Sequence, residues 1–140
     1  MKIVAGRFGS RKLQTLKGSN TRPTSSKVRA AVFDHYGTFF KSGFFLDMFA
    51  GSGAMGLEAI SRGFSEATFI EKNYKAMKVV KENIQTLGVA ALTKCYQGDA
   101  LKQIESLKKQ YDLIFIDPPY AYDMAEELLE KVIKLELLKP

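Results

Sequence analysis

The residue types best suited to chemistry lie in the stretch Ile114-Phe115-Ile116-Asp117-Pro118-Pro119-Tyr120. An apolar run ends there on an acid, two prolines and an aromatic. Proline fixes φ and carries no N–H, so the pair stiffens the chain and leaves the Pro118 carbonyl as an acceptor of fixed direction. The Asp117 carboxylate is a second acceptor. Together they match the two hydrogens of an exocyclic amino group on a planar base. The lone pair of such an amine is conjugated with its ring and is a poor nucleophile. Two acceptors drawing on its N–H bonds favour a more pyramidal nitrogen, able to attack a methyl group. Tyr120 offers a ring on which a base taken out of its usual pairing can stack. Catalysis of this kind rests on positioning and electrostatics, without a covalent enzyme intermediate. The competing reading is a double-proline turn that only ends a strand.

A second stretch, Phe44-Phe45-Leu46-Asp47-Met48-Phe49-Ala50-Gly51-Ser52-Gly53-Ala54-Met55-Gly56, supplies a place for a nucleotide-like ligand. A short apolar run leads through Asp47 into glycines spaced G-x-G-x-x-G and then into a helical pattern, the context in which this spacing has meaning. The glycines permit a tight turn, and the helix start presents free N–H groups. Asp47, four residues before Gly51, separates two cofactor classes. A carboxylate there repels a pyrophosphate resting on the turn, whereas it suits S-adenosylmethionine, which has a sulfonium and an α-amino group and no phosphate. Glu71, twenty residues after Gly51, suits ribose hydroxyls in either class. The plainer readings are an architectural glycine turn and a turn-capping aspartate.

The elements that hold these stretches follow from the pattern. Strands are predicted over 44–47, 67–70, 92–96 and 111–116, and helices over 57–62, 74–87, 100–109 and 122–138. This alternation predicts an α/β fold with a parallel sheet and helices on both faces. Asp47, Glu71, Asp99 and Asp117 then all fall at carboxyl ends of strands, the edge where open α/β sheets bind ligands. Before the sheet come a basic hairpin (strands over 2–5 and 11–16, with Arg7 and Phe8 near the tip), a loop over 17–24, and a helix over 27–39. That helix is expected to turn Val28, Ala31, Val32, His35 or Tyr36, and Phe39 inward and to leave Lys27 and Arg29 free. We divide the 140 residues into an arm (1–24) and a cofactor-binding and catalytic core (25–140) within one domain.

Charge is unevenly spread. Residues 1–43 hold nine Lys or Arg against Asp34, a net of +8, while residues 44–140 hold twelve bases against fourteen acids, a net of −2. The basic first third points to a polyanion, with nucleic acid the natural one; a solvated arm is the plainer alternative. One cysteine and one histidine are too few for a protein-held zinc site, so no metal is expected. The lone Cys95 forms no internal disulfide, which suits a reducing, cytoplasmic setting. No run approaches the ~18–20 apolar residues of a membrane span.

With these residues in view, Asp47-Met48-Phe49-Ala50-Gly51-Ser52-Gly53 and Asp117-Pro118-Pro119-Tyr120 resemble the class I S-adenosylmethionine-dependent amino-methyltransferases. Ile3-Val4-Ala5-Gly6 and Arg22-Pro23-Thr24, with Val28-Arg29 and Phe33, are similar to the bacterial RsmD-type enzymes, and the resemblance runs along essentially the whole chain. It implies a Rossmann-like fold and methylation of the exocyclic N2 of a guanine in small-subunit (16S) ribosomal RNA, free or in an assembling subunit, by an enzyme that is monomeric at full length. It also implies roles. Asp47, Gly51, Ser52 and Gly53 contact the methionine end of S-adenosylmethionine, Glu71 holds the ribose, and Asp99 and Ala100 hold the adenine. Asp117, Pro118, Pro119 and Tyr120 hold the target base. Arg7, Arg11, Arg22, Thr24, Lys27 and Arg29 face RNA. Members of this family continue further, with strands that complete the sheet, so a truncated chain with an open apolar edge at 111–116 is expected.

Other readings remain beside this one. A DNA adenine-N6 or protein-glutamine methyltransferase uses the same acceptor pair. A nicotinamide-dependent oxidoreductase leaves Asp47 and the double proline unexplained. A non-catalytic RNA-binding relic of the fold needs neither.

Overall fold

A computed structural model describes residues 1–16, 25–118 and 122–140. Arg22, Thr24, Pro119 and Tyr120 lie outside the described residues. In chain order the elements are α1 (Ser26–Tyr36), β1 (Phe44–Asp47), α2 (Ala54–Ser61), β2 (Glu66–Glu71), α3 (Tyr74–Leu87), β3 (Thr93–Gln97), α4 (Ala100–Gln103), β4 (Leu113–Phe115) and α5 (Tyr122–Lys134). The four strands form one parallel sheet in the order β3-β2-β1-β4. Its middle strands are the apolar ones: Phe45, Leu46, Ala67, Phe69 and Ile70 are fully buried. Such two-sided burial is why they read as continuous apolar runs.

Two cores cover the two faces. On one, Phe33 of α1, Leu57 and Ile60 of α2, and Met77, Val80 and Ile84 of α3 pack with Phe45 and Phe69. On the other, Ile104, Leu128 of α5 and Val132 pack with Leu46, Ile70 and Tyr111. The sheet covered on both faces is thus the Rossmann-like arrangement expected from the strand–helix alternation. Asn73 caps α3 through its side chain, which accepts from the Ala76 N–H at 3.0 Å, and Gly88 closes the helix at φ 70°. Both signals were legible in the sequence.

The arm is a hairpin in which the strands expected over 2–5 and 11–16 reduce to one antiparallel bridge, Lys2 with Lys12, because few bonds tie its two sides: Ile3 donates to the Arg11 carbonyl, Ser10 to the Ile3 carbonyl, and Leu13 to the Met1 carbonyl. It lies on the outer side of α2 and α3, in the same core as α1. Its tip meets the C-terminal end of α2, where Arg7 N–H donates to the Ser61 carbonyl at 2.8 Å. Its open end meets the start of the helical layer, where the Met1 sulfur lies 3.9 Å from the Ser52 hydroxyl.

Several expectations are corrected. In α1 the buried residues are Arg29 and Phe33, with Val32 packed beside them as expected, while Val28, Ala31, His35 and Tyr36, and Phe39 beyond the helix, are exposed. The inward face is chosen by what the arm supplies over it, which periodicity does not show. Tyr74, which falls on the same helical spacing as Met77, Val80, Ile84 and Leu87, is 69% exposed, while Asn83 is buried. The helix over 100–109 is a single α turn followed by a 3-10 turn at Ile104–Ser106. The last helix stops at Lys134; Glu136 adopts φ 54° and the chain turns back, so that Leu138 pairs in parallel with Tyr111. Tyr111 therefore stands apart from β4, which spans three residues only.

Candidate active site

Strand order places four acids along the carboxyl edge of the sheet. Read from β3 across to β4, they run Asp99, Glu71, Asp47, Asp117. Asp47 is the hub. In register it stands level with Phe69 of β2 and Phe115 of β4, two residues short of Glu71 and Asp117 respectively. The loop after it stays pinned between both neighbours: Met48 N–H donates to the Phe115 carbonyl at 3.1 Å, and Ala50 N–H to the Ile70 carbonyl at 3.0 Å.

The glycine turn hangs from these bonds. Gly51 and Gly53 adopt φ 58° and 87°, a region that disfavours side chains. Among the described residues a Cβ on Gly51 would meet nothing within 4 Å, so the turn is open on that side to them. At Gly56 the same atom would lie 2.3 Å from the Phe69 ring, so the third glycine lets α2 settle onto the sheet. The spacing therefore divides into two uses: the first glycines shape the turn and the third packs the helix.

Glu71 holds the turn from the side. One carboxylate oxygen accepts the Gly51 N–H at 2.8 Å and the other accepts the Asn73 N–H at 2.8 Å. Each oxygen keeps a further lone pair. The Glu71 carbonyl accepts from Gly98 N–H at 3.0 Å, which brings Asp99 beside it. Asp99 stands at the start of α4, and its side chain makes no capping bond. It is half-buried, next to the buried Ala100. Asp117 is exposed and Pro118 half-buried.

Asp47 is 1% exposed. Burial pushes its carboxyl up to about 7; the Phe49 N–H, donating to it at 3.1 Å, opposes that rise, and the charges on Glu71 and Asp117 add to it. A buried carboxyl beside two others, facing an open turn, is a site short of positive charge. It suits a ligand that brings a cationic group.

The arm residues separate. Arg7 and Arg11 are exposed, with their guanidinium groups 4.7 Å and 6.0 Å from the Phe8 ring centre. Phe8 itself is half-buried against the core, so the tip offers guanidinium planes. Lys27 is exposed in the first turn of α1. Arg29 is 1% exposed, which overturns its assignment as a free RNA contact. Its Nε lies 3.5 Å from the Glu58 carboxylate and its Nη2 donates to the Lys2 carbonyl.

Glu58, which the sequence reading passed over, organises the arm. Fully buried, it accepts from Val4 N–H at 2.9 Å, Ala5 N–H at 3.1 Å and Arg62 Nε at 2.8 Å, besides meeting Arg29. Arg62 in turn pairs with Asp34 at 3.1 Å. A signal existed: Glu58 and Arg62 stand four apart in the otherwise apolar Gly56-Leu57-Glu58-Ala59-Ile60-Ser61-Arg62. Asn83 is a second overlooked residue. Buried, it exchanges bonds with Gln14 N–H (2.8 Å) and carbonyl (3.0 Å), and donates to the Ser52 carbonyl at 2.9 Å. It ties the arm to the glycine turn.

A family model described as conserved hypothetical protein 95 matches residues 1–140. The chain belongs to that family. The Bacillus subtilis (strain 168) protein YlbH is 35% identical over 99% of this chain and 77% of its own length. A Haemophilus influenzae protein named Ribosomal RNA small subunit methyltransferase D is 33% identical over 100% of this chain and 74% of its own. The solved structure of yhhF from Escherichia coli superposes with a TM-score of 0.88 at 29% identity, covering 99% of this chain and 76% of that one. The family likeness extends over the arm as well as the sheet, in keeping with the RsmD-type resemblance drawn from the sequence. Among the described residues no group of three or more His, Cys, Asp or Glu is arranged to hold a metal ion, and no helix is long and apolar enough to cross a membrane.

Proposed function

We propose that the chain is an S-adenosylmethionine-dependent methyltransferase that methylates the exocyclic N2 of a guanine in small-subunit ribosomal RNA. The observation that carries the reading is the adjacency along one edge of Glu71, the glycine turn, Asp47 and Asp117-Pro118. It supports a reading in which acids that seek a cation stand beside a pair of acceptors that seek an amine. The names carried by family members support RNA as the substrate.

The residues present fit the cofactor. The side of the turn over Gly51 that the described residues leave open admits a ligand against the backbone, and Asp47 offers a carboxylate to an ammonium group. Glu71, with a lone pair left on each oxygen, serves ribose hydroxyls, and the Asp99 side chain, which makes no capping bond, serves an adenine amine. When bound, S-adenosylmethionine supplies a methyl group on a sulfonium. The protein's own part is to bring the base to it. The Asp117 carboxylate and the Pro118 carbonyl accept the two N–H groups of the guanine amine and hold its lone pair toward the cofactor pocket. The proton that this nitrogen must give up leaves by way of the Asp117 carboxylate, which is open to solvent. An ammonium group held beside Asp47 would favour its ionised form against the burial that raises its pKa.

The experiment is incubation with labelled S-adenosylmethionine and small-subunit RNA, free and in partly assembled particles, followed by digestion to nucleosides. The expected product is N2-methylguanosine. N6-methyladenine from duplex DNA, or methylglutamine from a protein substrate, with no labelled guanosine, would replace this reading by one of its rivals.

A further inference from the structure

Resting on the reading as an RNA methyltransferase, we propose that the exposed face of α3, through Lys75, Lys78 and Lys81, is a second contact surface for the RNA phosphodiester backbone, bridging the basic tip of the arm and the cofactor edge. The orientation of the arm raises the need for it. Arg7 docks at Ser61, the last residue of α2, and the Arg11 guanidinium donates to the Thr86 carbonyl near the end of α3 at 3.2 Å. Both helices begin at the carboxyl edge, just after Gly53 and Asn73, so their ends lie at the opposite edge. The tip arginines therefore stand about 20 Å, the length of α3, from the acids that would handle cofactor and base. An RNA held at the tip and offering a base at Asp117 has that height to cross.

The lysines of α3 occupy the interval. Lys75, Lys78 and Lys81 recur every third residue, about 4.5 Å of rise per step, and all are exposed. Lys72, just before the helix, is exposed too. Among the described residues none of these four is in an ion pair, and the one acid of α3, Glu82, is half-buried. The opposite face carries mixed charge: exposed Glu126, Glu127 and Glu130 of α5 stand among exposed Lys102, Lys108 and Lys134. A polyanion is thus drawn more strongly to the side carrying the arm and α3, where exposed bases outnumber exposed acids. The arm and α3 are also one platform, since buried Asn83 binds Gln14 and Ser52 together. The plainer account, a solvated lysine helix, predicts no involvement in binding.

The test compares Lys75→Gln/Lys78→Gln/Lys81→Gln with a charge-matched control on the opposite side, Lys102→Gln/Lys108→Gln/Lys134→Gln. Binding of transcribed small-subunit rRNA is measured by filter retention between 50 and 200 mM salt. Calorimetry with S-adenosylhomocysteine checks that both variants keep a folded cofactor pocket. Three lost phosphate contacts lower the slope of log affinity against log salt by about 2, so the advantage of the unaltered protein over the α3 variant shrinks about 16-fold across that range. The control keeps the unaltered slope. If the unaltered protein binds RNA and the α3 variant matches its slope, or the control loses as much, the surface is wrong while the enzyme reading stands. If no form binds this RNA, either free or in partly assembled small-subunit particles, both fall together.

Discussion

Replacing Asp47 by asparagine isolates the residue on which the cofactor pocket turns. The amide would keep an oxygen to accept the Phe49 N–H and the volume of the side chain, and would remove the titrating group. A carboxyl whose pKa is higher folded than unfolded binds its proton more tightly in the native state, so stability falls as pH rises from the unfolded value toward the folded one and is flat above it. For Asp47 that window runs from 3.8 to about 7. A shift of that size corresponds to about 4 kcal/mol of destabilisation at and above pH 7, on the order of a third to a half of a typical domain's stability. The assay is urea unfolding at pH 5 and pH 8 on both proteins. The unaltered protein is expected to lose more stability between the two pH values than the Asp47→Asn variant. The variant is expected to be the more stable of the two at pH 8 by up to about 4 kcal/mol. Its affinity for S-adenosylhomocysteine should drop about 10- to 100-fold, the equivalent of one charged hydrogen bond. Equal pH dependence in the two proteins, or a variant less stable than its parent at pH 8, would refute the argument that the site holds this carboxyl against its own solvation.

Three further outcomes follow from the packing. Glu58→Ala removes the carboxylate that pairs with Arg29 and Arg62 and accepts from Val4 and Ala5; it should cost about 3–5 kcal/mol in urea unfolding, as expected for stranding buried charge. Gly56→Ala drives a methyl against the Phe69 ring and should cost about 1–3 kcal/mol by the same measurement. Gly51→Ala meets no neighbour among the described residues and should cost only about 1–2 kcal/mol from its positive φ, yet should weaken S-adenosylhomocysteine binding in calorimetry, because the methyl intrudes on the cofactor's space.

What could be read in advance was whatever a short window specifies. Phe44 to Gly56 announced strand, turn and helix because burial on both faces makes β1 apolar and the turn needs glycines whatever lies around it. Asn73 and Gly88 framed α3 for equally local reasons. The edge of acids followed by counting strands. Long-range docking was not legible. Arg29 looks like a surface arginine in its own helix, and only the arm folding over Glu58 turns it inward. Phe39 and Tyr36 fit an apolar stripe, but α1 ends at Tyr36, so neither is drawn against the sheet. Leu135 fits the inward period of α5, and it is the turn at Glu136 that diverts the chain to pair with Tyr111. The orientation of the arm, which puts Arg7 and Arg11 away from the acids, depends on bonds between residues more than fifty positions apart, such as Phe8 to Ser61.

The most direct test of the central claim, that Asp117 serves the amine while the glycine turn serves the cofactor, is methyl transfer from labelled S-adenosylmethionine to small-subunit RNA by Asp117→Ala at saturating cofactor. The account predicts that transfer is lost while S-adenosylhomocysteine still binds with nearly unchanged affinity. Transfer at the unaltered rate would contradict it.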